Sequence, residues 1–231
     1  MSLKSEIAHV RVWWHKSRPL SIGEKVADGI VHAAGLLIAL VAGSTLLTLA
    51  LVETAPEQFP ALLTYVGSMV VLFGVSMAFN LWPRTATKKL LARLDQAAIF
   101  LFIAGTYTPF LSLVWGTPEG MGLTIFVWAA TILGIALKLI IPQHFGRIAI
   151  ILYLAIGWSG ILVFHSLTST LPSSALWLLL AGGLTYSAGI IFHLWDRIKF
   201  YTAIWHAFVV AGASLHLIAI FDAMVISRWG M

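Results

Sequence analysis

Seven long apolar runs separated by short polar breaks leave this chain few ways to fold. Crossing about 30 Å of hydrocarbon takes roughly 20 apolar residues in a helix. The stretches Ile30–Val52, Pro60–Trp82, Ala97–Trp115, Met121–Ile141, Ile148–Phe164, Ser174–Trp195 and Ala203–Ile226 come close to that length. Connections this short force antiparallel neighbours, and none can hold a second domain. Hydrophobic residues make up 60% of the chain and charged ones 10%, against about 45–50% and 25% in soluble proteins. That is too little polar surface to coat a water-facing globule, so lipid is the solvent that fits. The expected fold is all-α, a seven-transmembrane helix bundle; a soluble enzyme, a collagen and a disordered chain are excluded. The absence of cysteine excludes disulfide frameworks, thiolate metal sites and cysteine nucleophiles. The first run exceeds the roughly 7–15 residues of a signal-peptide core and is followed by no small-residue cleavage site, so it reads as a retained helix.

Charge sets the orientation. Lys4, Arg11, Lys16, Arg18 and Lys25 precede or open the first run, and Arg84, Lys88, Lys89 and Arg93 occupy the second loop. Lys138 and Arg147 flank the fourth loop, while Arg197 and Lys199 sit in the sixth. Thirteen of the fourteen basic residues therefore share one side, with Arg228 alone on the other, where the loops carry Glu53, Glu57 and Glu119. Positive charge marks the cytoplasmic side, so the N-terminus is expected in the cytoplasm and the C-terminus outside. Anionic headgroups at the inner face account for the net charge of +5, and the expected partners are membrane lipids, not nucleic acid. Residues 1–24 read as a basic interfacial arm and 25–231 as the transmembrane domain. Trp13 and Trp14, among Arg11, His15, Lys16 and Arg18, fit either a segment lying on the leaflet or an unstructured tail.

A charge inside a span costs about 2.5–3.5 kcal/mol on insertion scales and usually faces the bundle interior. Glu24, Asp28 and His32 are spaced i, i+4, i+8 and share one helical face. Ser76 and Asn80 lie near the cytoplasmic end of the second run, Asp95 opens the third, and Thr202 and His206 open the seventh. His193 ends the sixth on the same side, and His216 lies about 15 Å deeper than His206 by helical rise. The outer half has little comparable. Single residues have plainer readings too: Asp95 as a helix N-cap, Glu24 in water, Ser76 bonded to its own helix, His216 as an interhelical contact. Asp28 and His32 together favour function. Pro109, within Gly105-Thr106-Tyr107-Thr108-Pro109, predicts a kink in the third run. Gly157, Gly160, Gly182, Gly183 and Ala211-Gly212-Ala213 supply small surfaces for helix contact. The seventh run has no interior Lys for a retinal Schiff base.

Taken together, these residues resemble the hemolysin III family of bacterial membrane proteins, within the wider progestin and adipoQ receptor group. The likeness covers nearly all the chain from Glu24. It rests on Glu24-x3-Asp28-x3-His32, on Leu94-Asp95-Gln96-Ala97-Ala98-Ile99 followed by Ile103 to Phe110, on Tyr153 to Trp158, and on Ala203 to Val209. The resemblance implies a seven-helix bundle with its N-terminus inside. It also implies a zinc site near the cytoplasmic side, built from one histidine on helix 2 and two at H-x3-H on helix 7, with a helix 3 Asp contacting the metal-bound water. Here those positions read Asn80, Thr202 and His206, with Asp95 retained, and Gln96 stands where many relatives have a further His. Neutral Asn and Thr oxygens are poor zinc ligands. Two outcomes stay open: His32, Asp28, Asp95 and His206 rearrange into a site of two histidines and a carboxylate, or the site is metal-free and held by hydrogen bonds.

Three functions follow. The first is a hemolysin III-type membrane protein of the bacterial inner membrane, acting in membrane-lipid homeostasis through a polar pocket lined by Glu24, Asn80, Thr202 and His216. The second is a zinc-dependent, ceramidase-like lipid amide or ester hydrolase, with Asp95 positioning or deprotonating water, Ser76 assisting, and His206, His32 and Asp28 at the metal. The third is a pore-forming cytolysin, against which the apolar outer half counts, since a lumen is polar along its full length.

Overall fold

A computed structural model describes residues 19–53, 56–83, 86–141 and 146–228. Residues 1–18 of the proposed interfacial arm, Trp13 and Trp14 among them, lie outside those described. The helices in chain order are α1 (Ile22–Glu53), α2 (Phe59–Leu81), α3 (Ala86–Leu113), α4 (Pro118–Ile140), α5 (Gly146–Trp158), α6 (Phe164–Thr170), α7 (Ser173–Leu194) and α8 (Tyr201–Met224). A 3-10 segment, Ser159–Val163, joins α5 to α6 within one crossing. Seven crossings result, each long and apolar enough to span a membrane, and there is no strand among the described residues. The outward surface is apolar: Ile132, Leu162 and Trp177 stand exposed, which suits hydrocarbon and not water.

Helix α1 begins eight residues before the run predicted from hydropathy, and the division at 24/25 falls in its first turn. Ser21 and Glu24 form a capping box. Glu24 N donates to Ser21 Oγ at 3.3 Å, and Ser21 N donates to Glu24 Oε2 at 2.9 Å. The other carboxylate oxygen, Oε1, accepts from Phe200 N at 2.9 Å. Phe200 precedes α8 with φ 62°, the left-handed region. Glu24 thereby satisfies a free amide at the start of the last helix and places negative charge where the helix dipole favours it. The first turns of α1 and α8 are tied together.

Helix α3 starts at Ala86, so Asp95 lies inside it and is not its N-cap. Strong helix formers (Lys88, Lys89, Leu90, Leu91, Arg93) carry the helix beyond its apolar part. Lys138, within the fourth run, turns inward. It belongs to the last turn of α4, 1% exposed, and bonds Gln96 Oε1. Helix α3 continues through Pro109. The interrupted crossing is the fifth, where Tyr107 Oη donates to Gly157 O at 2.7 Å and accepts from Gly160 N at 2.8 Å. One hydroxyl on α3 thus serves backbone groups freed where α5 ends, as irregular backbone at membrane depth requires.

Packing closes the ring: α1 touches α2 and α8, α3 lies between α2 and α4, and α7 packs on α8. Close approach is set by small residues. A Cβ on Gly134 of α4 would lie 2.6 Å from the Phe100 ring on α3, which is fully buried.

Candidate functional site

At the end of the bundle where the basic loops gather, four helices contribute polar side chains to one cluster. His32 sits one turn after Asp28 on α1. Its Nδ1 lies 2.7 Å from the Asp28 carbonyl oxygen and so carries the proton, which leaves Nε2 a lone pair. That lone pair faces Ser76 Oγ and Asn80 Nδ2 of α2, each at 3.1 Å. The i, i+4 spacing of Ser76 and Asn80 places both against one imidazole. Asn80 Nδ2 also donates to Ser76 O at 3.0 Å.

Helix α8 brings His206 across to α1. Its Nδ1 lies 2.7 Å from Asp28 Oδ1, and its ring meets His32 with centroids 4.2 Å apart at 64°. Residue 28 therefore orients both imidazoles, one by its backbone carbonyl and one by its carboxylate. Asp95 on α3 shares a cavity wall with Ser76 and His206. Asp28 and His32 are buried, with 4% and 2% of their surface exposed.

A cavity of about 820 Å³ opens beside this cluster. Its wall includes His32, Ser76, Asn80, Asp95, Thr202 and His206 at the basic end. It continues past Leu72, Phe102, Ile103 and Val209 to Tyr186 and His216 at the middle of α7 and α8. Thr202 Oγ1 is buried there without a hydrogen-bond partner. Of the sequence candidates, then, Asp28, His32, Ser76, Asn80, Asp95 and His206 meet, Thr202 joins them in the wall, and His216 lies deeper. Glu24 is set apart as the bracket between α1 and α8.

Two residues named in the sequence were given no part in the site. Lys138 and Gln96 form a second polar pair on the cavity wall, backed by Tyr153 Oη, which donates to Gln96 O at 2.8 Å. A lysine within the run Met121–Ile141 was the available signal. Asp222, near the far end of α8, accepts from Ser174 Oγ.

The donor set fits a metal ion. Asp28, His32 and His206 offer ligand atoms that all lie within 4.8 Å of one another, and two imidazoles with a carboxylate is a known catalytic zinc set. The hydrogen bonds fit too, since a metal-binding histidine normally gives its other N–H to an oxygen, as both imidazoles do here.

The sequence pattern of the haemolysin-III-related family matches residues 21–217. The chain belongs to that family. Its haemolysin-III relatives include Hemolysin-3 of Bacillus cereus, 34% identical over 194 residues that cover 84% of this chain and 89% of the relative. The Hemolysin-3 homolog of Bacillus subtilis (strain 168) is 32% identical, covering 84% and 91%. The human monocyte to macrophage differentiation factor is 30% identical over 203 residues, covering 85% and 83%. With seven crossings and this kinship, the chain is a multi-pass integral membrane protein of haemolysin-III type.

Proposed function

We propose that this protein holds a membrane lipid, with the polar head at the Asp28–His32–His206–Asp95 cluster and a chain along the apolar part of the cavity, and serves membrane-lipid homeostasis. The basic end would face the cytoplasm of a bacterial plasma membrane, as the distribution of Lys and Arg favours. The observation that carries this reading is the continuity of one cavity from ionisable side chains to apolar walls at bilayer depth. Such a space suits an amphiphile. A pore is disfavoured, because Leu46, Leu62, Leu111, Ile220 and Met224 pack without exposure at the opposite end. Native mass spectrometry of protein purified in mild detergent tests the idea. One bound lipid is expected, and it should be lost in Ile103→Trp, which fills the cavity. Lipid-free wild type, or equal binding by both, refutes it.

A second reading, amide or ester hydrolysis of that lipid, is supported by the metal-compatible cluster. Bound zinc would supply a Lewis acid at the scissile carbonyl. His32, His206 and Asp28 would hold it, and Asp95 would accept a proton from water with Ser76 steadying its carboxylate. Elemental analysis should find about one zinc per chain, lost in His206→Ala. Metal-free wild type after mild purification ends this reading.

A further inference from the structure

The cavity carries a second polar station that the cluster at the basic end does not use. Tyr186 on α7 and His216 on α8 both line its wall, with ring centroids 5.4 Å apart at 67°. Each ring is seated on a glycine of the other helix. A Cβ at Gly182 would lie 2.3 Å from His216 Cδ2, and one at Gly212 would lie 2.8 Å from Tyr186 Cε1. Gly182 and Tyr186 are one helical turn apart, as are Gly212 and His216, so the two antiparallel helices exchange the same arrangement. Glycine lets the helices approach, but it does not call for polar rings; apolar ones would fill the same room.

The polar atoms themselves point to a ligand. His216 Nε2 lies 3.2 Å from Leu179 O and donates to it, which leaves Nδ1 an acceptor only. That nitrogen and Tyr186 Oη are both buried without a hydrogen-bond partner. Unpaired polar atoms at mid-bilayer carry a desolvation cost that an apolar residue would avoid. Together they match both needs of one hydroxyl, which would donate to His216 Nδ1 and accept from Tyr186 Oη.

We propose that Tyr186 and His216 form a hydroxyl-recognition station, and that the cavity takes a long-chain amphiphile bearing a hydroxyl in mid-chain. The inference rests on the lipid-holding reading above and adds the chemistry of the lipid. Ten residues separate His206 from His216 on α8. That is about 15 Å along the axis, the reach of roughly a dozen carbon–carbon bonds of an extended chain.

The test is competition for radiolabelled octadecan-1-ol on the purified full chain in detergent, using octadecane-1,12-diol and octadecane-1,2-diol, none of which can be hydrolysed. The 1,12-diol should bind roughly tenfold tighter than octadecan-1-ol, and the 1,2-diol should gain nothing comparable. Tyr186→Phe keeps the ring on Gly212 and removes only the hydroxyl. It should abolish the advantage of the 1,12-diol, measured against octadecan-1-ol on the same variant. Equal affinity of wild type for octadecan-1-ol and the 1,12-diol, as a bound water at the station would produce, overturns the proposal. So does a preference that survives Tyr186→Phe. If neither alcohol binds, the lipid-holding reading falls with it; if octadecan-1-ol binds without a hydroxyl preference, only the station falls.

Discussion

The two ends of the bundle join the same helices by different means. At the basic end, α1, α2 and α8 meet through hydrogen bonds of Asp28, His32, Ser76, Asn80 and His206, with Asp95 of α3 on the wall of the cavity beside them. At the other end the same four helices interlock through Leu46, Leu62, Leu111 and Ile220, none with more than 2% of its surface exposed. In lipid there is little hydrophobic gain from bringing helices together, so dense packing of this kind is what can hold them. A polar cluster beside open space contributes less to packing and can be spared for chemistry. The contrast teaches a division of labour: one half supplies the scaffold and the other the site.

The comparison can be broken by substitutions that ignore it. Leu62→Ala in the packed half should cost the most, about 2–5 kcal/mol in detergent unfolding, while metal and lipid content at the basic end stay unchanged. Loss of both would show that the halves are not separable. Tyr107→Phe should cost about 1–3 kcal/mol by stranding Gly160 N and the Gly157 carbonyl at membrane depth. An unchanged midpoint would mean that the break in the fifth crossing is served otherwise. Glu24→Gln should cost about 1 kcal/mol, because the bracket to Phe200 loses its charge but keeps an acceptor; hydrogen exchange at the start of α8 should rise with it. Ser174→Ala should cost about 0.5 kcal/mol or less, since its bond to Asp222 lies at an exposed rim. A larger loss there would give the far end a polar role of its own.

Much of this was legible in the chain. Hydropathy alone finds seven crossings, because a span must be long and apolar wherever it packs. The convergence of Asp28, His32 and His206 follows from their placement at one end of antiparallel helices. The start of α1 was also readable, since Ser21-x-x-Glu24 is a capping signature, but the hydropathy criterion discounted a turn rich in Gly, Glu and Lys. Lys138 reads in the sequence only as positive charge flanking the fourth loop, and Gln96 on the neighbouring helix shows that it turns inward. The cross-bundle role of Glu24 depends on a left-handed Phe200 far along the chain, which no local pattern encodes. The break after Trp158 was hidden because Ser159 and Gly160 sit in an apolar run and their partner, Tyr107, lies on another helix.

The central claim is that Asp28 and His206 touch across the bundle and organise the site. A double-mutant cycle of Asp28→Ala and His206→Ala, read by unfolding in detergent with and without a chelator, measures that contact directly. A coupling of about 1.5–3 kcal/mol is predicted, as for a hydrogen bond to a charged group, with none between Asp28 and His216. A coupling within about 0.3 kcal/mol of zero in both conditions would contradict the account.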